Sequence, residues 1–310
     1  MAPTGTQAAR HESTPRHRTS ASRPSALALT LARIADAAGR RLLAHYGGAC
    51  EAAHKPDGSP VTAADTEAET VILAGLAEAF PGVPVLSEEL AARTGAPAGP
   101  LGPRFFCVDP MDGTKEFLRR NGQFTVNIAL IENGSPVAGA VLAPATGRLW
   151  LADRKAHVAT VPTLEHGDAE VAWRPIQTRA CPPEGLVAVR SSSHGDGETE
   201  AFLAAPGIAR RMPLGSSLKF CRLAEGLADV YPRLGCTMEW DTAAGQAVLE
   251  AAGGHVLVPP GSPLTYGKWR DGFRNPGFIA WGNTPRMPSG AGGGTGDAQA
   301  TDGERQHEGT

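Results

Sequence analysis

The stretch that most restricts how this chain can fold is Phe105-Phe106-Cys107-Val108-Asp109-Pro110-Met111-Asp112-Gly113-Thr114. Its apolar run, Phe105 to Val108, reads as a short buried strand that ends in an acid. Pro110 has no N–H to give to a ladder, so the strand is expected to stop there. A second acid follows, and Gly113-Thr114 reads as the opening of a helical turn. Two carboxylates three residues apart at the exit of a buried strand are costly to bury without a cation. Lys115, Arg119 and Arg120 come too late in the sequence to neutralise both. Hard oxygen ligands of this kind suit Mg²⁺ or Mn²⁺ and not a soft metal. The Gly113 and Thr114 amides and the Thr114 hydroxyl, at a helix start, suit a phosphate. Side by side, these features suggest metal-assisted phosphoryl chemistry. An Asp-Pro turn followed by a capped helix is the plainer account of the same residues.

Upstream, Leu27, Leu31, Ile34, Ala38, Leu42 and Tyr46 recur at helical spacing, predicting an amphipathic helix from Ser25 that Gly47-Gly48 closes. Asp57-Gly58 and Ser59-Pro60 mark turns. A helix with an acidic start follows over 65–80, and Asp65 taken alone reads as its cap. A short strand over 83–86 leads into Ser87-Glu88-Glu89, a place where ligand sites gather in layered α/β folds. A solvated acidic turn explains Glu88 and Glu89 as well. Residues 91–103 read as a loop. Downstream come a short helix over 115–120, a strand over 124–131, a tight hairpin at Asn133-Gly134, and antiparallel strands over 137–142 and 148–152. A weaker strand region covers 157–176, and Cys181-Pro182-Pro183 reads as a connection between lobes. The second half alternates strands over 186–189, 210–214, 230–233, 255–258 and 277–281 with helices over 197–204, 215–226 and 240–252. That alternation implies a mixed sheet covered by helices.

A chain of 310 residues with 41% hydrophobic and 20% charged content has room for one large domain or two lobes with a real core. A net charge of −3 gives no case for nucleic-acid or membrane binding, and no apolar run is long enough to span a bilayer. Cys50, Cys107, Cys181, Cys221 and Cys236 are odd in number and form no CxxC pair, which points to reduced thiols in the cytoplasm and away from zinc. Residues 1–24 and 284–310 are polar or Gly-rich and are expected to be disordered tails. The first lacks the apolar core of a secretory signal.

Asp65, Glu88, Asp109, Asp112 and Asp241 each close an apolar run or open a helix. Singly they are caps, turns or solvated acids; gathered in one pocket they would repel strongly without divalent ions. The segments Leu-Ser-Glu-Glu (86–89), Asp-Pro-Met-Asp-Gly-Thr-Lys-Glu-Phe (109–117) and Trp-Asp-Thr-Ala-Ala-Gly (240–245) resemble the signature motifs of the inositol monophosphatase superfamily. Residues 55–65, 215–221 and 231–233 are similar to its bacterial 3′(2′),5′-bisphosphate nucleotidase (CysQ-type) branch. The likeness covers roughly residues 25–283.

The resemblance implies an α/β (α+β) protein with the layered αβαβα sugar-phosphatase fold, its metal site between lobes 25–180 and 181–283. It implies a lithium-sensitive, Mg²⁺-dependent phosphatase holding two or three ions, with Mn²⁺ as a substitute. Glu88, Asp109, Asp112, Asp241 and the Met111 carbonyl would hold metal, and Asp65 would help hold a third ion. Asp65 and Thr114 would activate the attacking water, and Gly113 and Thr114 would bind the phosphate. Glu89 is expected beside the metals rather than on them. His194, Ser216, Lys219 and Arg233 would face the nucleoside and its second phosphate, with Lys55 at the mouth. For His194, Ser216, Lys219 and Lys55 the plainer accounts are a loop histidine, a helix cap, a surface charge and an exposed loop lysine. Glu239 departs from the pattern, as an acid that either tunes the metals or points outward. The implied reaction is hydrolysis of adenosine 3′,5′-bisphosphate to AMP and phosphate in sulfur metabolism, by a cytoplasmic monomer or homodimer acting on a small nucleotide. The alternatives are another phosphate ester (an inositol phosphate, sugar phosphate or specialised nucleotide) and a non-catalytic metal- or phosphate-binding protein.

Overall fold

Ser25 accepts a hydrogen bond from the Ala28 amide through its hydroxyl, and helix α1 (Ala26–Tyr46) runs from that cap to Gly47. The computed structural model describes residues 23–48, 52–55, 60–161, 171–193 and 195–285. The expected tails, but for a few residues at their inner ends, lie outside it, as do Asp57-Gly58-Ser59, Cys50 and His194. Strands β1 (Ala52–His54) and β2 (Pro60–Thr62) form a small antiparallel pair ahead of helix α2 (Ala63–Ala79). Thr62, not Asp65, caps α2. Asp65 stands at the third helical position and accepts both the Thr62 amide and the Thr62 hydroxyl, each at 2.7 Å.

Strand β3 (Val85–Ser87) leads directly into helix α3 (Glu88–Thr94), where the sequence reads as an acidic turn and the start of a loop. Buried Glu69 on α2 explains the difference, because it accepts the Leu90 amide at 2.8 Å and the Ser87 hydroxyl at 2.5 Å. That fixes the first turn, and Ala91-Ala92 propagate it. Strand β4 (Arg104–Asp112) does not stop at Pro110 but continues to Asp112 before helix α4 (Thr114–Leu118). A meander of β5 (Thr125–Glu132), β6 (Ser135–Ala143), β7 (Arg148–Ala152), β8 (Ala156–Thr160) and β9 (Arg174–Pro175) completes a seven-stranded sheet in the order β3-β4-β5-β6-β7-β8-β9. Only β3–β4 is parallel. Asn133 and Gly134, at φ 50° and 79°, make the tight β5–β6 turn.

The second half supplies β10 (Leu186–Ser191), α5 (Gly197–Ala204), β11 (Ile208–Leu214), α6 (Leu218–Ala224), β12 (Val230–Arg233), β13 (Thr237–Met238), α7 (Ala243–Ala251), β14 (His255–Val258), β15 (Ser262–Pro263), β16 (Arg274–Asn275) and β17 (Phe278–Trp281). Six of these strands form a mixed sheet in the order β11-β10-β12-β17-β14-β15. The small β13–β16 pair has no counterpart in the sequence reading.

Strand alternation explains the layers. In β4, Phe106 and Val108 join a cluster with Leu31, Ile72 and Leu76 of α1 and α2, whereas Phe105 and Cys107 face α6 and α7. In the second sheet, Tyr231, Phe278 and Ala280 face the same two helices, while Val230, Ile279 and Trp281 pack on Phe202 and Leu203 of α5. Both sheets are therefore covered on two faces, which is why central stretches such as 105–108 of β4 and 278–281 of β17 read as unbroken apolar runs. The result is the layered αβαβα arrangement, with the α6–α7 layer drawing core residues from both halves of the chain. Among the described residues no helix is long and apolar enough to cross a membrane.

Candidate active site

The continuation of β4 through Pro110 decides where its acids point. Asp109 pairs with Asn127 and Asp112 with Thr125, so three steps along β4 match two along β5. This is a β-bulge, and a bulge accommodates a proline because its missing N–H leaves no ladder position empty. In a regular strand, residues three apart face opposite sides. Here the extra residue turns Asp109 and Asp112 to the same side, toward the α6–α7 layer. Asp109 is held further by the Met111 amide, which donates to its Oδ1 at 3.0 Å.

Glu88, the first residue of α3, and Asp241, just before α7, arrive at that side from other parts of the chain. Glu88, Asp109 and Asp241 each place a carboxylate oxygen within 4.8 Å of the others. With Asp112 and Thr114 they line an open cavity of about 420 Å³. Asp65 sits behind Thr114, whose hydroxyl donates to Asp65 Oδ1 at 3.3 Å. The five acids of the sequence reading thus share one neighbourhood.

Burial makes that neighbourhood electrostatically uncomfortable. It lifts Asp109 well above the usual carboxylate range, and Glu88, Asp112 and Asp241 add to the effect. Asp241 is pushed up to about 8 by burial, then by Asp112 and Glu88. Burial takes Asp112 to about 6 against the pull of Lys219, and Asp65 to about 6 against its bonds from Thr62. Acids this confined, offering only hard oxygen atoms, fit a small divalent cation such as Mg²⁺.

Lys55 is not an exposed loop lysine. Its side chain is buried, and Nζ donates to Glu88 Oε1 and Glu89 Oε1, each at 2.6 Å. Burial opposes its charge, but the two carboxylates outweigh burial and raise its pKa. Glu89 therefore points at Lys55; burial raises it to about 7 despite that partner.

Across the cavity stand Ser216, Lys219 and Arg233. Lys219 is not a surface charge: it is buried, donates to the Ser216 carbonyl at 2.6 Å, and lies 5.2 Å from the centre of the Tyr231 ring. Burial lowers it to about 8, with Asp112 pulling the other way. Nor is Ser216 a helix cap, since Ser217 holds that position on α6. Ser216 sits at φ 49°, and its buried hydroxyl oxygen has no hydrogen-bond partner. Arg233 donates to the Cys236 carbonyl at 3.4 Å. Beside His194, which lies outside the described residues, Ser193 lines the cavity and donates through its hydroxyl to Glu116. Glu239 does not point outward. It is fully buried, and it accepts the Gly267 and Lys268 amides and the Lys268 ammonium, each at 2.8 Å.

Several contributors escape the sequence reading. The Asn127 amide donates to Ser217 Oγ at 3.0 Å, and that hydroxyl donates to the Asp241 carbonyl at 3.1 Å, tying β5 to the entry of α7. A lone Asn within the apolar run 124–131 was the available signal.

The family model of the inositol monophosphatase family matches residues 24–281. The chain is 44% identical over 249 residues to the 3′(2′),5′-bisphosphate nucleotidase CysQ of Escherichia coli (strain K12), covering 79% of this chain and 96% of that protein. To the same-named protein of Buchnera aphidicola it is 35% identical over 259 residues, covering 81% and 91%. Among solved structures, CysQ from Bacteroides thetaiotaomicron superposes with a TM-score of 0.66 at 36% identity, over 82% of this chain and 96% of that one.

Proposed function

This chain belongs to the inositol monophosphatase family, and from that premise we propose that it hydrolyses the 3′-phosphate of adenosine 3′,5′-bisphosphate, giving AMP and inorganic phosphate. The relatives named as 3′(2′),5′-bisphosphate nucleotidases support the substrate class. The observation that carries the reading is the meeting of Glu88, Asp109 and Asp241 within 4.8 Å, beside the Thr114–Asp65 pair.

In this reading Glu88, Asp109, Asp112, Asp241 and the Met111 carbonyl hold Mg²⁺, in two or three positions, with Asp65 serving the third. When bound, Mg²⁺ supplies charge neutralisation around the phosphoryl group and acidifies water. The Gly113 and Thr114 amides bind the phosphoryl oxygens at the start of α4. Thr114 accepts a proton from the attacking water while its own hydroxyl proton passes to Asp65, already its hydrogen-bond acceptor. Asp65, buried and already the acceptor of that hydrogen bond, is placed to take the proton. The water oxygen bonds to phosphorus, the P–O3′ bond breaks, and the 3′ oxygen leaves with the nucleoside, taking a proton from solvent water that the proton held on Asp65 then replaces. Lys219 and Arg233 offset the charge of the 5′-phosphate, and the Ser216 hydroxyl still has its hydrogen-bonding capacity to offer.

A substrate panel tests this. With Mg²⁺ the protein is expected to release phosphate from adenosine 3′,5′-bisphosphate well ahead of inositol 1-phosphate, and to stop when EDTA is added. Asp112→Asn is expected to abolish release, which a non-catalytic binding protein would never show in the first place. Lys219→Ala and Arg233→Ala are each expected to lower kcat/KM for the bisphosphate by about tenfold or more, the size of a charge-assisted hydrogen bond. An unchanged preference in both variants, or a preference for inositol 1-phosphate, defeats the substrate assignment.

A further inference from the structure

The two ends of the cavity rest on one residue that has no place in the proposed chemistry. Gln123 lies between α4 and β5, its own amide bonded to Asn121 Oδ1 at 2.9 Å. Its side-chain Oε1 accepts the Gly215 amide at 2.7 Å. Its main-chain carbonyl oxygen is wedged between two glycines. A Cβ on Gly113 would lie 3.0 Å from it, and a Cβ on Gly215 would lie 2.8 Å from it. Gly113, at φ 98°, forms the turn beside the acids; Gly215 leads into Ser216, itself at φ 49°. Ser216 in turn lines the cavity, keeps a buried hydroxyl without a hydrogen-bond partner, and offers its carbonyl to Lys219. The Gly113 turn and the Gly215–Ser216 turn therefore stand back to back on Gln123, and a shift of the second carries Ser216 and Lys219 with it.

We propose that Gln123 is a positioning residue for substrate specificity: its side chain fixes the Gly215–Ser216 turn, and so the distance from the reacting phosphate to the groups that hold the rest of the substrate. This rests on the bisphosphate reading for the identity of that substrate. The backbone of Gln123 survives any substitution, so the Gly113 turn keeps its support. Loss of the side-chain acceptor frees only the Gly215 turn, whose amide is buried.

The test compares Gln123→Met (similar length, no oxygen acceptor), Gln123→Ala and Gln123→Glu, all with Mg²⁺. In the Met and Ala variants KM for adenosine 3′,5′-bisphosphate is expected to rise about tenfold, the size of one lost hydrogen bond to a buried amide. Turnover of p-nitrophenyl phosphate, which has no nucleoside, is expected to stay within about twofold. Gln123→Glu, whose carboxylate still accepts the amide, is expected to restore the wild-type KM. Hydrogen exchange supplies a readout that needs no substrate: amides 215–217 exchange faster in the Met and Ala variants and at the wild-type rate in the Glu variant. Equal losses on both esters, or unchanged exchange at 215–217 in Gln123→Met, overturn the proposal. If the wild-type protein ignores the bisphosphate, the substrate reading falls, and the exchange measurement alone decides the role of Gln123.

Discussion

Glu239 shows how far a single charge can be displaced from the role its neighbours suggest. It sits two residues before Asp241, yet its buried carboxylate is met by two amides and the Lys268 ammonium. Removing the carboxylate leaves two amides without an acceptor and the half-buried Lys268 ammonium without its counter-charge, at a cost of about 3 kcal/mol. Glu239→Ala is therefore expected to lower the unfolding temperature sharply while leaving Mg²⁺ affinity within about twofold, as thermal unfolding and titration calorimetry would show. A parallel loss of metal affinity would make Glu239 part of the metal centre. The same residue marks where reading from sequence ends. Asp109, Asp112 and Asp241 announce themselves because each closes an apolar run or opens a helix. Lys219 shows only through the family resemblance, since an isolated lysine defaults to the surface and only the fold buries it. Gln123 is invisible for another reason: its partner, Gly215, lies 92 residues away. Asn127 shows only as a polar break in an apolar run, with its partner Ser217 90 residues off.

At the scale of elements, periodicity and turn chemistry place β7, α5, β12 and β14 where the structure has them. What they miss is set by partners rather than propensity. Helix α3 exists because Glu69 completes its first turn, and β4 passes Pro110 because β5 tolerates a bulge there. Close approach is equally illegible. Helix α7 lies so near β6 that a Cβ on Gly139 would come within 2.9 Å of the Ala247 Cβ and 3.0 Å of the Ala244 carbonyl oxygen. Gly139→Val must push α7 away from the sheet, an overpacking that costs about 1–3 kcal/mol. Because Asp241 stands at the entry to α7, the variant is expected to lose both thermal stability and Mg²⁺-dependent phosphate release. Lost stability with wild-type turnover per folded molecule would show that α7 can shift without carrying Asp241.

For the whole molecule, the pocket acids link stability to pH and to metal. Asp241 holds its proton to about 8 when folded against 3.8 in its ordinary state, and Asp112 and Asp65 to about 6. Stability from these groups is thus full below about pH 4 and is lost as pH rises toward 8. Lys219 acts above that point: its folded value near 8 lies below the ordinary 10.5, so its contribution recovers as pH climbs from 8 to 10.5. In EDTA the pocket is expected to be least stabilising near pH 8, and Mg²⁺ is expected to raise the unfolding temperature more at pH 8 than at pH 5.5. Thermal unfolding at the two pH values, with EDTA or Mg²⁺, checks it; an equal increment at both speaks against metal binding by these acids.

The helices α6 and α7 touch both sheets, and that restricts how such a protein can diversify. Transplanting residues 181–283 from a relative would ask two interior surfaces to match at once, so modular exchange of the second half is closed off. New preferences have to be written instead in the turns that lead into those helices, a few positions at a time, while the helices themselves stay as they are.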